Sequence, residues 1–275
     1  VPASPIDPSL LQLVRQSQPA ELSAGCFFPL SGLSHHSFKI VLPQQNLLAR
    51  RQPRLPIPFV DRRREYRVLK KLSAGGVVKR PVGYNQHWLL LSWQPGETLS
   101  SQEFAEYLRP VCRALVHLHH QPLTGYRLSL TALLEKYWQL CRQKTHHWLQ
   151  FWQRLKSQGE PLPLRLVPIH MDIHAGNVVK DSQCCRFIDW EYTADGDIAL
   201  DLAVICLNDS ANETQWIDYY AGIAGLTPER LARQVNRWKP WLKLLMACWY
   251  QLRAEQTASP QMQTLARQYW QNLSF

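Results

Sequence analysis

Residues 169–191 read IHMDIHAGNVVKDSQCCRFIDWE. His170, Asp172 and Asn177 come first, the apolar pair Phe187 and Ile188 closes a strand-like run, and Asp189 follows it. A carboxylate, an amide and a second carboxylate, in that order, are what phosphoryl transfer to a hydroxyl requires. Asp172 suits the first task, to orient the acceptor hydroxyl and accept its proton. An Asp of ordinary pKa is a weak base, so positioning matters more than early deprotonation. Asn177 offers a neutral oxygen and Asp189 a harder anionic one. Mg²⁺ takes a few such protein oxygens and completes its shell with phosphate and water. The blander alternative makes Asp172 and Asn177 turn residues that cap backbone amides.

Upstream, the segment 26–93 reads as short strands separated by turns. Strands are expected at 38–42, 46–51, 77–82 and 87–93. A helix is expected at 61–72, where Tyr66, Leu69 and Leu72 recur at helical spacing. The first twenty residues hold prolines and one apolar patch, and suit a short helix or a loose arm. After WQPGETL the pattern changes. Ser100 and Glu103 form an S-x-x-E capping pattern, and Phe104, Leu108, Val111, Leu115 and Leu118 follow at helical spacing, with Pro110 as a kink point. Residues 128–155 are again helical. So is most of the chain from 199 on, interrupted at 225–228, Pro240 and Pro260. The expectation is an α+β protein: a small lobe over 1–93, with an N-terminal arm and a sheet, then a larger, mainly helical lobe over 94–275.

There are 31 Lys and Arg against 21 Asp and Glu, a formal charge of +10. Between Arg50 and Arg80 lie eleven basic and two acidic residues, so the excess falls on the small lobe. A solvated basic face explains most of them; a phosphorylated ligand is the functional alternative. No nucleic-acid-binding module is recognisable, so neither nucleic acid nor a membrane is expected as a partner. The seven cysteines include no C-x-x-C pair, and their odd number suits reduced thiols in the cytoplasm. No signal peptide is visible at the start, and no apolar run approaches a bilayer span. A monomer is expected.

Asp172 and Asn177 are spaced like the Asp and Asn of the protein-kinase catalytic loop. The chain resembles the aminoglycoside phosphotransferase and choline kinase family from about residue 30 to 207. That resemblance implies a two-lobed, protein-kinase-like fold, ATP as co-substrate and Mg²⁺ as cofactor. It also implies that His170 organises the loop through hydrogen bonds and that Asp201 is a scaffold residue beside it. His174 stays unassigned. LSGLSHHSF would be the phosphate loop, with Gly32 and Ser34 approaching the nucleotide, although a plain hairpin would read the same way. The strand position that holds Lys in many kinases falls on Arg51, whose guanidinium can pair phosphate oxygens. Arg50 should face the other side of the strand, and Glu65 is the expected partner of Arg51. Trp93 and Gln94 match the linker whose main chain meets adenine.

Within the family, the chain resembles the bacterial thiamine kinases over nearly its full length, most closely in the segments PLRLVPIHMDIHAGN, FIDWEYTADGDIALDLA and RQVNRWKPWLKLL. That implies thiamine as the acceptor, a flat cation with one primary alcohol, to be phosphorylated to the monophosphate. Aromatic faces and a carboxylate would hold it, and the candidates are Trp190, Glu191, Trp238 and Trp241, with Trp249, Tyr137 and Trp138 behind them. Aromatics at helical spacing also make ordinary core. A choline, amino-sugar or aminoglycoside kinase is the alternative in the same class, and a non-catalytic binding module the alternative outside it.

Overall fold

A computed structural model describes residues 6–18, 25–30, 37–181 and 184–273. In chain order its elements are α1 (Pro8–Ser17), β1 (Cys26–Leu30), β2 (Ser37–Val41), β3 (Asn46–Arg51), α2 (Arg62–Leu72), β4 (Gly83–Tyr84), β5 (Trp88–Ser92) and β6 (Glu97–Thr98). Then come α3 (Ser101–Glu106), α4 (Leu108–His119), α5 (Leu130–Leu140), α6 (His146–Gln158), β7 (Leu166–Ile169), β8 (Val178–Asp181), β9 (Cys184–Phe187) and β10 (Ala194–Asp197). The chain closes with α7 (Ile198–Asn208), α8 (Glu213–Ala224), α9 (Pro228–Thr257) and α10 (Pro260–Gln271). It divides into two compact units, Val1–Ser100 with Gly176–Thr193, and Ser101–Ala175 with Ala194–Phe275. A single boundary after residue 93 does not capture this, because the hairpin β8–β9 belongs with the sheet.

The first unit is built on a five-stranded antiparallel sheet of order β1-β2-β3-β5-β4. Helix α1 starts from Asp7, whose side chain accepts from Ser9 N at 2.9 Å, with Pro8 in the first turn. Its Leu10, Leu13 and Val14 share one face and pack on Ile40, Leu47, Ala49, Trp88 and Leu90 of the sheet. Each such aliphatic side chain contributes about 1.5–3 kcal/mol by leaving water. The N-terminal segment is therefore a helix docked on the sheet. Helix α2 is capped by Asp61, which accepts from Arg63 N and Arg64 N. The strand expected at 77–82 does not form; the edge strand is the short β4. A second sheet, β6-β8-β9, completes the unit. Its β6–β8 pairing needs glycine at 96: with φ +116°, a Cβ there would meet the Lys180 carbonyl at 2.5 Å.

The second unit is mainly helical. The helix expected from Phe104 to Leu118 is two, α3 and α4, with the break at Tyr107 ahead of Pro110. Helix α7 is apolar except for Asp201 in its first turn and Asn208 at its end, and it is buried over nearly its whole length, which is the mark of a core helix. Pro240 does not interrupt α9, which runs through it. The two-stranded sheet β10-β7 leads into α7. No helix among the described residues is long and apolar enough to cross a membrane.

Candidate active site

In the first unit, strand periodicity decides which arginine faces inward. Leu47, Ala49 and Arg51 share one face of β3, toward α1, and Arg50 takes the other. Arg51 lies over the Trp88 ring at 5.5 Å and pairs with Asp7 at 3.3 Å. The expected Arg51–Glu65 pair is not made. Glu65 instead accepts from Arg50 Nη1 at 2.9 Å. Arg50 Nη2 reaches Glu191 Oε2 at 2.7 Å and Asp189 Oδ1 at 2.6 Å. Burial opposes the charge on Arg50, and the three surrounding carboxylates more than offset it, so its pKa is raised.

Asp189 follows β9 with a left-handed backbone (φ 65°), a conformation that costs a non-glycine residue energy and that Asp adopts more readily than most. Its Oδ1 is sealed from solvent against Arg50, and the 34% of the side chain that stays exposed lies elsewhere. Burial, together with Glu191 and Glu65, pushes its pKa up against the opposing pull of Arg50 and Arg62. Asn177 ends a 3₁₀ turn and is buried. Its carbonyl accepts from Ile188 N at 3.0 Å, which extends the β8–β9 hairpin by one step. The hairpin thus brings Asn177 alongside the residue that precedes Asp189.

Among the other first-unit candidates, Trp93 N donates to the Asn46 carbonyl at 2.9 Å, and Lys39 lies over the Trp93 ring at 4.6 Å. Gln94 is half-buried, and its Nε2 donates to the Pro95 carbonyl at 3.2 Å. Gly32 and Ser34 lie outside the described residues. Trp190 and Glu191 are not available to an acceptor. Trp190 is buried, with Nε1 donating to the Phe187 carbonyl at 3.1 Å. Glu191 is 3% exposed and committed to Arg50 and Arg62. A carboxylate two residues after Asp189 reads like a surface acid until Arg50 of β3 and Arg62 of α2 close on it.

In the second unit, Asp201 is fully buried within α7 and accepts from His170 N at 2.9 Å and Met171 N at 2.7 Å. His119 Nε2 lies 3.1 Å from the same carboxylate, and His119 Nδ1 lies 2.5 Å from the Tyr220 hydroxyl. Met171 is held at φ 70°. His170 is buried, and its Nδ1 accepts from Asp172 N at 3.3 Å. The loop ahead of Asp172 is therefore fixed from below through its backbone. Asp172 itself keeps about a third of its side chain exposed, and His174 Nε2 lies 3.9 Å from its Oδ1. Burial lowers the His174 pKa, so the imidazole is neutral at pH 7 and the contact is not an ion pair.

Of the late tryptophans, Trp238 and Trp241 are core. Trp238 is 3% exposed, with Nε1 donating to Asp197 at 2.8 Å. Trp241 is 1% exposed and edge-on to Trp152. Tyr137 is likewise buried. The remaining late candidate, Trp249, is half exposed, as are Tyr250 and Tyr269, which the sequence did not single out. Tyr250 stacks on Tyr269 at 4.4 Å between centroids, and Trp249 packs edge-on at 4.9 Å. Burial, Tyr269 and then the charge of Asp172 raise the Tyr250 pKa, so this phenol stays neutral within reach of the Asp172 field. Tyr250 and Tyr269 lie on separate helices, and no spacing in the sequence marks them as a pair.

The model of the phosphotransferase enzyme family matches residues 28–234. Thiamine kinase from Escherichia coli O157:H7 is 39% identical over 246 residues, covering 88% of each chain. Among solved structures, the choline kinase LicA from Streptococcus pneumoniae superposes with a TM-score of 0.75 at 15% identity, covering 96% of this chain and 99% of that one. A choline/ethanolamine kinase family protein from Mesorhizobium loti gives 0.74 at 17% identity, covering 92% and 88%. The α+β, protein-kinase-like fold is thus the one these structures share.

Proposed function

The chain belongs to the phosphotransferase enzyme family, and from that premise we propose that it transfers the γ-phosphoryl group of ATP to the hydroxyl of thiamine, giving thiamine monophosphate. The observation that carries the reaction is the buried Arg50 on Asp189 beside Asn177, a fixed cation next to a carboxylate and an amide on one unit. The acceptor rests on the similarity to thiamine kinase over most of the chain.

Arg50 is the cation for the phosphates, and Glu65 is its anchor. Asn177 and Asp189 are the residues that would hold Mg²⁺. The donor set fits: both ligands are hard oxygens, and among the described residues no group of three His, Cys, Asp or Glu could bind a metal unaided. Mg²⁺ needs no such cage, since it keeps waters and takes phosphate oxygens. Bound there, it would neutralise charge on the phosphates. The main chain at Trp93 and Gln94 is the proposed adenine contact. In the second unit, Asp172 orients the thiamine hydroxyl and accepts its proton. Asp201 fixes the backbone that carries Asp172, and neutral His174 adds no competing charge. The half-exposed faces of Trp249, Tyr250 and Tyr269 suit a flat cation. Seven free thiols support a cytoplasmic setting.

Purified protein with Mg²⁺-ATP should convert thiamine to the monophosphate, with choline and kanamycin much poorer acceptors. Mass spectrometry of the mixtures decides it. A dominant diphosphate, or faster turnover of either comparator, would overturn the acceptor and leave the kinase reading standing.

A further inference from the structure

The charge network of the first unit contains one arginine more than a phosphate-facing cation and its anchor require. Arg62 is 1% exposed and cannot itself meet a ligand in solvent. Its Nη1 donates to Glu65 Oε2 at 2.5 Å and to Glu191 Oε2 at 3.0 Å, and its Nε donates to the Arg51 carbonyl at 3.1 Å. The same two glutamates hold Arg50, Glu65 on Nη1 and Glu191 on Nη2. Arg64, two residues along α2, donates to the carbonyls of Glu191 and Thr193 and so fixes the backbone that carries Glu191. Meanwhile Nη2 of Arg62 is buried with no hydrogen-bond partner among the described residues.

We infer that Arg62 and Glu191 are positioning residues for nucleotide binding: together they form a second ion pair that sets the rotation of the Arg50 guanidinium. With Glu65 alone, Arg50 is held by one edge. Glu191 fixes the other edge, and Arg62 draws Oε2 of both glutamates to itself, which turns Oε1 of Glu65 onto Arg50. The guanidinium is then locked with Nη2 on Asp189, the orientation in which its charge is presented beside the proposed metal carboxylate. Geometry of this kind is what a preorganised phosphate site requires.

This inference rests on the ATP reading proposed above, so the test carries a wild-type arm. Binding of a non-hydrolysable ATP analogue is measured by calorimetry for the wild type, R62M/E191Q and E191Q, along with thermal unfolding and the KM values for ATP and thiamine. The double variant removes one charge of each sign and keeps the balance. Expected is a loss of tenfold or more in analogue affinity, a matching rise in KM for ATP, an unchanged KM for thiamine and a cooperative unfolding transition. Should the double variant fail to fold, E191Q alone decides, with the same expected split. A residue that only stabilised the fold would lower the unfolding midpoint and leave the affinity and both KM values unmoved, and that result would overturn the inference. No analogue binding by the wild type would instead remove the ATP reading on which it rests.

Discussion

Arg50 Nη2 lies 2.6 Å from Asp189 Oδ1, and this one contact ties the middle sheet strand to the residue that follows the β8–β9 hairpin. Around it, Glu65 and Glu191 supply two further carboxylates, so Arg50 is the cation on which three anions converge.

Its neighbour Arg51 provides the control. Arg50→Ala should strand those carboxylates and cost about 3–5 kcal/mol of stability, the usual cost of an uncompensated buried charge. Arg50→Lys should fold but raise the KM for ATP, because one ammonium cannot reproduce a two-edged guanidinium. Arg51→Ala should change stability by no more than about 1 kcal/mol, since its partner Asp7 is partly exposed. Chemical denaturation with ATP kinetics checks all three. Equal effects of Arg50→Ala and Arg51→Ala would show the strand register to be wrong.

Asp172→Asn should keep ATP-analogue affinity and lose kcat by a factor on the order of 10²–10⁴, the range that a positioned proton acceptor contributes. Pre-steady-state phosphoryl transfer is the measurement. A variant with near wild-type kcat would move the catalytic role away from Asp172.

Asp201→Asn tests the support beneath that residue. An amide offers one acceptor oxygen where His170 N, Met171 N and His119 Nε2 now share two. The expected cost is about 1–3 kcal/mol for a buried donor left unmade. A fall in kcat should accompany it, without a change in ATP-analogue binding. If kcat held while stability fell, Asp201 would be a fold residue with no bearing on the Asp172 loop.

For the acceptor, Tyr250→Leu should raise the KM for thiamine by up to about tenfold and leave the KM for ATP unchanged. A cation–π contact contributes roughly 0.5–2 kcal/mol, and 1.4 kcal/mol is a factor of ten. Trp241→Phe, in the core, should lower the unfolding midpoint and leave both KM values alone. The reverse pattern would restore Trp241 as the substrate contact and remove Tyr250.

The sequence by itself determined the fold class and offered the candidate motif for the reaction. Asp172, Asn177 and Asp189 stand in a short segment whose order and spacing are local properties. The helices and strands follow from periodicities that a single segment carries. The family resemblance pointed to Asp201, and the tertiary structure then gave that residue its two backbone donors. What the sequence could not rank was side chains of equal chemistry. Arg50 and Arg51 are adjacent and identical, and only the docking of α1 on one face of β3 decides which of them turns toward Glu65. Trp238 and Trp241 look as suitable for a cation as Trp249 and Tyr250. Burial separates them, and burial depends on which helices pack against α9. Glu191 reads as an open carboxylate until Arg50 and Arg62 enclose it. In each case the deciding energy is a long-range one, desolvation or ion pairing between segments far apart in the chain, and no local pattern records it.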